Sequence, residues 1–394
     1  MVQKDILCLN KISPIGLEKL DKNDYNISDK VDRPDGILVR SASMHDMDFN
    51  ENLLCIARAG AGVNNIPIDR CSKAGIVVFN TPGANANAVK ELAICALMLS
   101  SRKIVEGSMW AQSLKDDADV AKTVEKGKSQ FGGVELTGKK LGVIGLGAIG
   151  GLVANAAVHL GMEVIGCDPY LSIEAAWNIN HRVHKAATFE EVFREADYIT
   201  LHVPATDSTK NMISAESIAM MKDGVRIINL ARTELVNAAD MKAALASGKV
   251  ASYVTDFPNA DLIGVPGAVL IPHLGASTEE AEDNCAAMAA MQLDDFLRYG
   301  NIKNSVNFPN VSMPFSGNLR IGVFHANVPA VISQVTTILS GLGVNIENMT
   351  SKSKGDNAYT MLDVSGQLIS EAAHRLVKIN GVMKVRLISP NGLI

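Results

Sequence analysis

Short apolar runs separated by stretches of helical period recur through the first three quarters of the chain. Runs at 5–9, 35–39, 52–58 and 75–80 have the length of buried strands, and the sequence between the first two is polar and weakly periodic. From 88 to 105 apolar residues recur at helical spacing, which predicts one long helix leaving the first domain. Residues 108–131 are polar with several lysines, and a second series of runs follows at 141–144, 162–167, 196–203, 225–231, 251–255 and 268–271. A helical stretch at 278–299 closes that series. Strands alternating with helices in this way predict an α/β fold with parallel sheets. Beyond 301–318, rich in Asn, Ser and Pro and read as a linker, the order changes. Strand 319–324, helix 328–342, strands 344–349 and 358–364, helix 371–379 and strand 382–388 make a βαββαβ, ferredoxin-like module, set apart as its own domain.

The junction after 141–144 carries the first chemistry. Gly145, Gly147 and Gly150 form GxGxxG between a strand and a helix-compatible stretch at 152–160. Gly145 permits a tight turn, Gly147 lets backbone approach a pyrophosphate, and Gly150 lets helix and strand pack closely. The helix N-terminus adds free N–H groups and partial positive charge for the phosphates. Asp168 ends the next strand, 18 residues after Gly150, where a carboxylate accepts hydrogen bonds from an adenosine ribose and repels a 2′-phosphate. The expected cofactor is NAD rather than NADP.

Composition narrows the class. The 394 residues suffice for two or three domains, and 47% hydrophobic with 20% charged residues is ordinary for a globular protein. A net charge of −5 gives no reason to expect nucleic acid or an anionic membrane as partner. The sequence holds no apolar run of membrane-spanning length and no signal-peptide segment. Six scattered cysteines without a CxxC pair read as reduced core residues of a cytoplasmic protein, with no metal site expected.

Polar residues stand repeatedly just after apolar strands, at the edge where open α/β sheets bind ligands. Arg232, Asp256, Asp261 and His273 are the ones to assemble. Removing hydride from a 2-hydroxy acid needs a base for the hydroxyl proton, a cation for the carboxylate, and a carboxylate to orient the base. His273 suits the first role, Arg232 the second and Asp261 the third. A lone His after a strand is more often structural, so spacing alone leaves the assignment open. The small-sided loop 60–65 is equally an anion-binding nest or a plain turn.

These stretches, with Val39-Arg40-Ser41, Arg58-Ala59-Gly60-Ala61-Gly62-Val63-Asn64, Asn80-Thr81-Pro82-Gly83, Leu201-His202-Val203-Pro204, 229–232 and Pro272-His273-Leu274-Gly275-Ala276-Ser277-Thr278, resemble the D-2-hydroxyacid dehydrogenase family over nearly the whole length. The likeness is greatest to its branch acting on 3-phospho-D-glycerate at the entry to L-serine synthesis. The resemblance implies two doubly wound Rossmann-like domains, the nucleotide domain inserted in the substrate domain. Substrate-binding residues would be 1–92 and 282–312, NAD-binding residues 93–281, and 317–394 an ACT-type regulatory domain. It implies Arg232, Asp261 and His273 as catalytic residues. Gly145, Gly147, Ala148, Ile149, Gly150, Asp168, Val203, Leu230, Ala231, Asp256, His273 and Gly275 would contact NAD. Substrate would meet Arg40, Ser41, Arg58, Ala61, Gly62, Val63, Arg232 and Lys128, the last of which also reads as a plain solvated charge. His325, Asn327 and Asn345 match positions that bind serine as an effector, and a homo-oligomer is expected. Asp261 stands where the family usually has Glu, only 12 residues before His273; Thr233-Glu234 replaces small glycines; and Ala330 replaces the Gly usual after Pro329. The rivals are another acid of the same family or a non-catalytic, NAD-sensing scaffold.

Overall fold

In the computed structural model of the chain, residues 3–316 and 319–389 are described. Residues 1–2, 317–318 and 390–394, at the ends of the expected 1–92 and 317–394 domains and of the linker, lie outside the described residues. In chain order the strands are β1 (Lys4–Leu9), β2 (Tyr25–Ser28), β3 (Gly36–Val39), β4 (Cys55–Arg58) and β5 (Val77–Phe79), followed by helix α1 (Ala86–Ser101). Next come β6 (Lys140–Ile144), α2 (Gly150–His159), β7 (Glu163–Cys167), β8 (Val183–Lys185), β9 (Tyr198–Leu201), β10 (Val225–Asn229), β11 (Val250–Thr255) and β12 (Ala268–Leu270). Helix α3 (Glu279–Tyr299) leads to β13 (Leu319–Ala326), α4 (Val331–Gly341), β14 (Asn345–Lys354), β15 (Asn357–Ser365), α5 (Ile369–Leu376) and β16 (Val382–Ile388). The chain divides into two compact units, Met1–Asn85 with Glu279–Ile394, and Ala86–Thr278.

The second unit is built on a seven-stranded sheet of order β12-β11-β10-β9-β6-β7-β8 in which every pairing is parallel. This is the doubly wound order, with its switch point between β6 and β9. Its strands are apolar without alternation because both faces are covered, as the fully buried Val143, Ile144, Ile199, Leu201, Ile227 and Ile228 record. Two helices, Ile104–Ser113 running into the polar stretch 108–131 and Val120–Gly127 within it, have no buried residue.

In the first unit a five-stranded parallel sheet runs β2-β1-β3-β4-β5, also doubly wound. The strand β2, within the polar interval that showed no pattern, is an edge strand with one buried residue. The C-terminal sheet has order β14-β15-β13-β16 and is antiparallel throughout, as a βαββαβ module requires. Helices α4 and α5 cover one face. On the other face Phe324, Tyr359 and Met361 join the same core as Phe79, Leu293 and Phe296.

The described part of the 301–318 stretch, 301–316, is packed against the first unit and is not a free linker. Asn304–Asn307 lies antiparallel along edge strand β5, through an isolated bridge between Phe79 and Ser305. The buried Asn307 amide imitates a strand neighbour: its Oδ1 accepts from Val78 N at 2.9 Å and its Nδ2 donates to Ile76 O at 2.9 Å. Phe308, Val311 and Met313 enter the core. Arg320 and Asp363, both fully buried, form a bidentate pair at 2.6 and 3.0 Å. The Arg320 guanidinium also donates to Tyr299 O, Met313 O and Pro314 O. Removing one partner of such a pair costs about 3–5 kcal/mol, because the other charge is left buried alone.

Candidate active site

In the second unit, parallel pairing puts the ends of β6, β9, β10, β11 and β12 at one edge. The turn after β6 follows from sterics. Gly145 takes φ +88°, and a Cβ there would meet His202 O at 2.7 Å. A Cβ on Gly150 would sit 1.9 Å from Gly145 O, whereas Gly147 has nothing within 4 Å. Among the described residues the N–H groups of Gly147, Ala148 and Ile149 donate to no protein group. Asp168 bridges the turn from β7, accepting from Leu146 N and Tyr170 N, each at 2.9 Å. Beneath lies His202, its Nε2 2.9 Å from Thr200 Oγ1; burial draws its pKa from 6.5 down to about 4, so it is neutral at neutral pH. The half-buried Val203 follows it.

The strands β10, β11 and β12 deliver the reactive groups. Asn229, fully buried at the end of β10, accepts from Ala231 N at 3.1 Å and donates to Arg232 O at 2.8 Å. It thereby shapes the Leu230–Arg232 turn and presents Arg232, which is exposed and donates to Ala231 O. Asp256 follows β11, buried, with Oδ2 accepting from Gly275 N at 3.3 Å and Oδ1 without a partner. Burial raises its pKa; the nearby His273 charge, the Gly275 N–H and Arg232 pull it back. His273, exposed after β12, packs against Phe257 with ring centroids 4.8 Å apart and the rings tilted by 51°.

Asp261 is not brought to His273. Among the described residues the two share no hydrogen bond or ion pair, and Asp261 is exposed in a turn where Leu262 N bonds to Asn259. The His273 charge is one of the influences that lower the Asp256 pKa against its burial. Sequence reasoning missed Asn229 and Phe257 as positioning groups; Asn229 stood in a quoted stretch, but its role depends on folding back over the next three residues.

The substrate candidates of the first unit follow β3 and β4. The Arg58 Nε donates to Arg40 O at 3.0 Å, and Arg40 pairs with Glu282 of α3. Burial lowers the Arg58 pKa. Gly60, at φ +148°, leaves room for the Arg58 guanidinium, which a Cβ would meet at 1.9 Å. Asn10, itself at φ +71°, accepts from Ser41 N and Ala42 N at 3.1 and 2.7 Å; the sequence offered no sign of this link. Among the described residues Ala61, Gly62 and Val63 have N–H groups that donate to no protein group. Lys128 stands in the second unit, exposed and paired with Glu125.

The effector candidates each have hydrogen-bond partners within the module. His325 is buried with Nδ1 on Ala326 O at 2.8 Å and Nε2 on Thr360 Oγ1 at 2.9 Å, so both ring nitrogens are engaged. Asn327 donates to Gly355 O, and the exposed Asn345 to Glu347. Ala330 takes φ +69°, the left-handed conformation that glycine adopts without strain.

The chain is similar to known proteins. The family described as D-isomer specific 2-hydroxyacid dehydrogenase, NAD binding domain, matches residues 95–275. D-3-phosphoglycerate dehydrogenase of Escherichia coli is 33% identical over 353 residues, 86% of this chain and 82% of that protein. The chain belongs to the D-2-hydroxyacid dehydrogenase family. D-3-phosphoglycerate dehydrogenase 1 of Saccharomyces cerevisiae is 32% identical over 339 residues, 80% of this chain and 69% of the relative. The NAD+-bound 3-phosphoglycerate dehydrogenase of Entamoeba histolytica aligns with a TM-score of 0.60 at 27% identity, covering 78% of this chain and 99% of that one. Coverage of the curated relatives ranges from 53 to 82% of their length. As a D-2-hydroxyacid dehydrogenase the chain is an oxidoreductase, and its cofactor is NAD. The residues fit it: an open Gly147 beside free N–H groups suits a pyrophosphate, Asp168 a ribose, and the unpartnered Asp256 Oδ1 an amide N–H. Among the described residues no helix is long and apolar enough to cross a membrane.

Proposed function

We propose that the chain oxidises 3-phospho-D-glycerate to 3-phosphohydroxypyruvate, the entry step of L-serine synthesis. The observation that carries this reading is the grouping of Arg232, Asp256 and His273 after three adjacent parallel strands, in a chain whose relatives are named for that substrate. Bound NAD supplies the acceptor for the C2 hydride. His273 takes the C2 hydroxyl proton, and its exposure lets that proton pass on to water. Arg232 pairs with the substrate carboxylate and polarises the C2 oxygen. In the first unit the free N–H groups of Ala61–Val63 receive a carboxylate; Arg40, Ser41 and Arg58 hold the phosphate, with Lys128 as helper. Asp261 is assigned to orient His273, which requires its exposed turn to move.

The test is NADH oxidation with a panel of 2-oxo acids. Phosphohydroxypyruvate is expected to turn over fastest; no turnover rejects the reading, and preference for another acid moves it within the family. In His273→Ala turnover should fall about 10²–10⁴-fold with NAD binding nearly intact. Asp261→Asn should shift the pH–rate profile; an unchanged profile transfers the orienting role to Asp256.

The C-terminal module is read as the L-serine effector unit, checked by titrating L-serine against activity in wild type and Asn345→Ala. The working form is read as a cytoplasmic homo-oligomer, to be checked by light scattering; the helices at 104–113 and 120–127, without a buried residue, support assembly.

A further inference from the structure

Among the described residues strand β16 is an edge of the C-terminal sheet, paired with β13 alone. Beside it, inside the first unit, lies a cavity of about 400 Å³. Its walls are the start of β1 with Asp35 and Leu54, the end of α3 at Leu297 and Arg298, and β16 itself. Four cationic side chains line it, Lys4, Arg298, Lys384 and Arg386, against two carboxylates, Asp35 and Glu51.

The cations differ in how they are neutralised. Lys4 pairs with Asp35 at 3.2 Å, and Arg298 with Asp24 and Asp294, both at 2.6 Å. Lys384 and Arg386 form no ion pair among the described residues. Lys384 Nζ donates to Leu53 O at 2.8 Å and Glu51 O at 3.4 Å. The buried Arg386 donates to Phe296 O and Leu297 O at 3.2 and 3.1 Å, and lies over the Phe296 ring. Both thus meet carbonyl dipoles and no carboxylate at ion-pair distance, with Glu51 acting on Lys384 and Asp35 on Arg386 only from farther off. They stand two residues apart on one strand, so their side chains share a face and repel each other. Burial, with Arg386 second, brings the Lys384 amine down to about 8. Buried charge is ordinarily paired, and here two adjacent cations border a space of ligand size.

We propose that this cavity binds a small oxyanion of double negative charge, a phosphate monoester or a dicarboxylate, held by Lys384 and Arg386. Such an ion would neutralise both cations at once and accept their remaining N–H donors. It would bridge the N-terminal edge of the first sheet, the end of α3 and the C-terminal module. The inference does not rest on the proposed reaction, since an inactive chain would bind the ion equally.

The test follows thermal unfolding of the full chain in inorganic phosphate and, separately, succinate, each against sodium chloride of equal ionic strength. Phosphate in large excess over its Kd should raise Tm by about 3 °C or more. A larger rise with succinate identifies the dicarboxylate as the preferred form; no rise with either overturns the proposal. Because Arg58 also attracts anions, the responses of Lys384→Met and Arg58→Ala are compared. The proposal stands if Lys384→Met removes the shift and Arg58→Ala leaves it; any other pattern overturns it. Should Lys384→Met fail to fold, hydrogen exchange on the wild type decides. Slower exchange at 382–388 and 51–54 with the anion supports the site, and unchanged exchange there overturns it.

Discussion

The turn at 145–150 and the loop at 60–65 both leave three consecutive backbone N–H groups without a protein partner, yet they are held open by different means. The first is a matter of backbone sterics. Its helix lies so close that a Cβ at Gly150 has no room, and Asp168 and His202 support it from neighbouring strands. The second is held by side chains that flank it: Arg58 against Gly60, and Asn80 Nδ2 on Ala61 O at 2.7 Å. A backbone-determined site tolerates almost no change of residue type within it. A side-chain-determined one tolerates local change but fails when a flanking side chain is lost.

Gly150→Ala should show the largest effect. With Gly145 O only 1.9 Å from the new Cβ, the turn must open, lowering stability by about 3 kcal/mol or more and abolishing NAD binding in a fluorescence titration. Retained NAD affinity would break the comparison. Acid should act next, and more on the 145–150 turn than on the 60–65 loop. The folded pKa of His202 lies below its ordinary value, so its contribution is fully present above pH 6.5 and is lost as the pH falls toward 4. That is worth up to about 3 kcal/mol. Hydrogen exchange at 145–150 should quicken over that window more than at 60–65, and equal quickening would count against a local cause. Asp168→Ala should weaken NAD about 10–100-fold, since two charge-assisted bonds to the turn go with the ribose contact, and should relax discrimination against NADP. A wild-type preference for NADP would contradict that role. The smallest effect is Gly62→Ala. Its Cβ would meet only Asn64 Oδ1 at 3.9 Å, so Tm should move by an amount equivalent to about 0.5 kcal/mol or less. If this variant unfolds as readily as Gly150→Ala, the two loops are alike after all.

The same division explains which elements were legible. The buried parallel strands showed as apolar runs because both faces are covered, and the βαββαβ order of the C-terminal module followed from its punctuation. The strands β2 and β8 were missed because edge strands carry little burial, with one buried residue in β2 and none in β8. The length of β14 was missed for the same reason: none of its ten residues is buried. Polar composition made 301–318 look like a linker, although Asn307 uses its amide to complete the edge of β5. At the candidate site, the places of Arg232 and His273 after strands were legible, while their roles came only from the family resemblance. The contest between Asp256 and Asp261 was not legible, since both follow the same strand a few residues apart.

Sequence alone determined the GxGxxG turn, the acid after the second strand of the nucleotide sheet and the general order of strands and helices. All of these depend on residues close together along the chain, where sterics and periodicity act directly. Tertiary structure alone placed Asp256 where the His273 charge lowers its pKa against burial, and engaged both nitrogens of His325 within the module. It alone set two unpaired cations of β16 beside a cavity. Those outcomes join residues tens to hundreds of positions apart, and no local pattern records which distant carbonyl, carboxylate or strand will arrive opposite a given side chain.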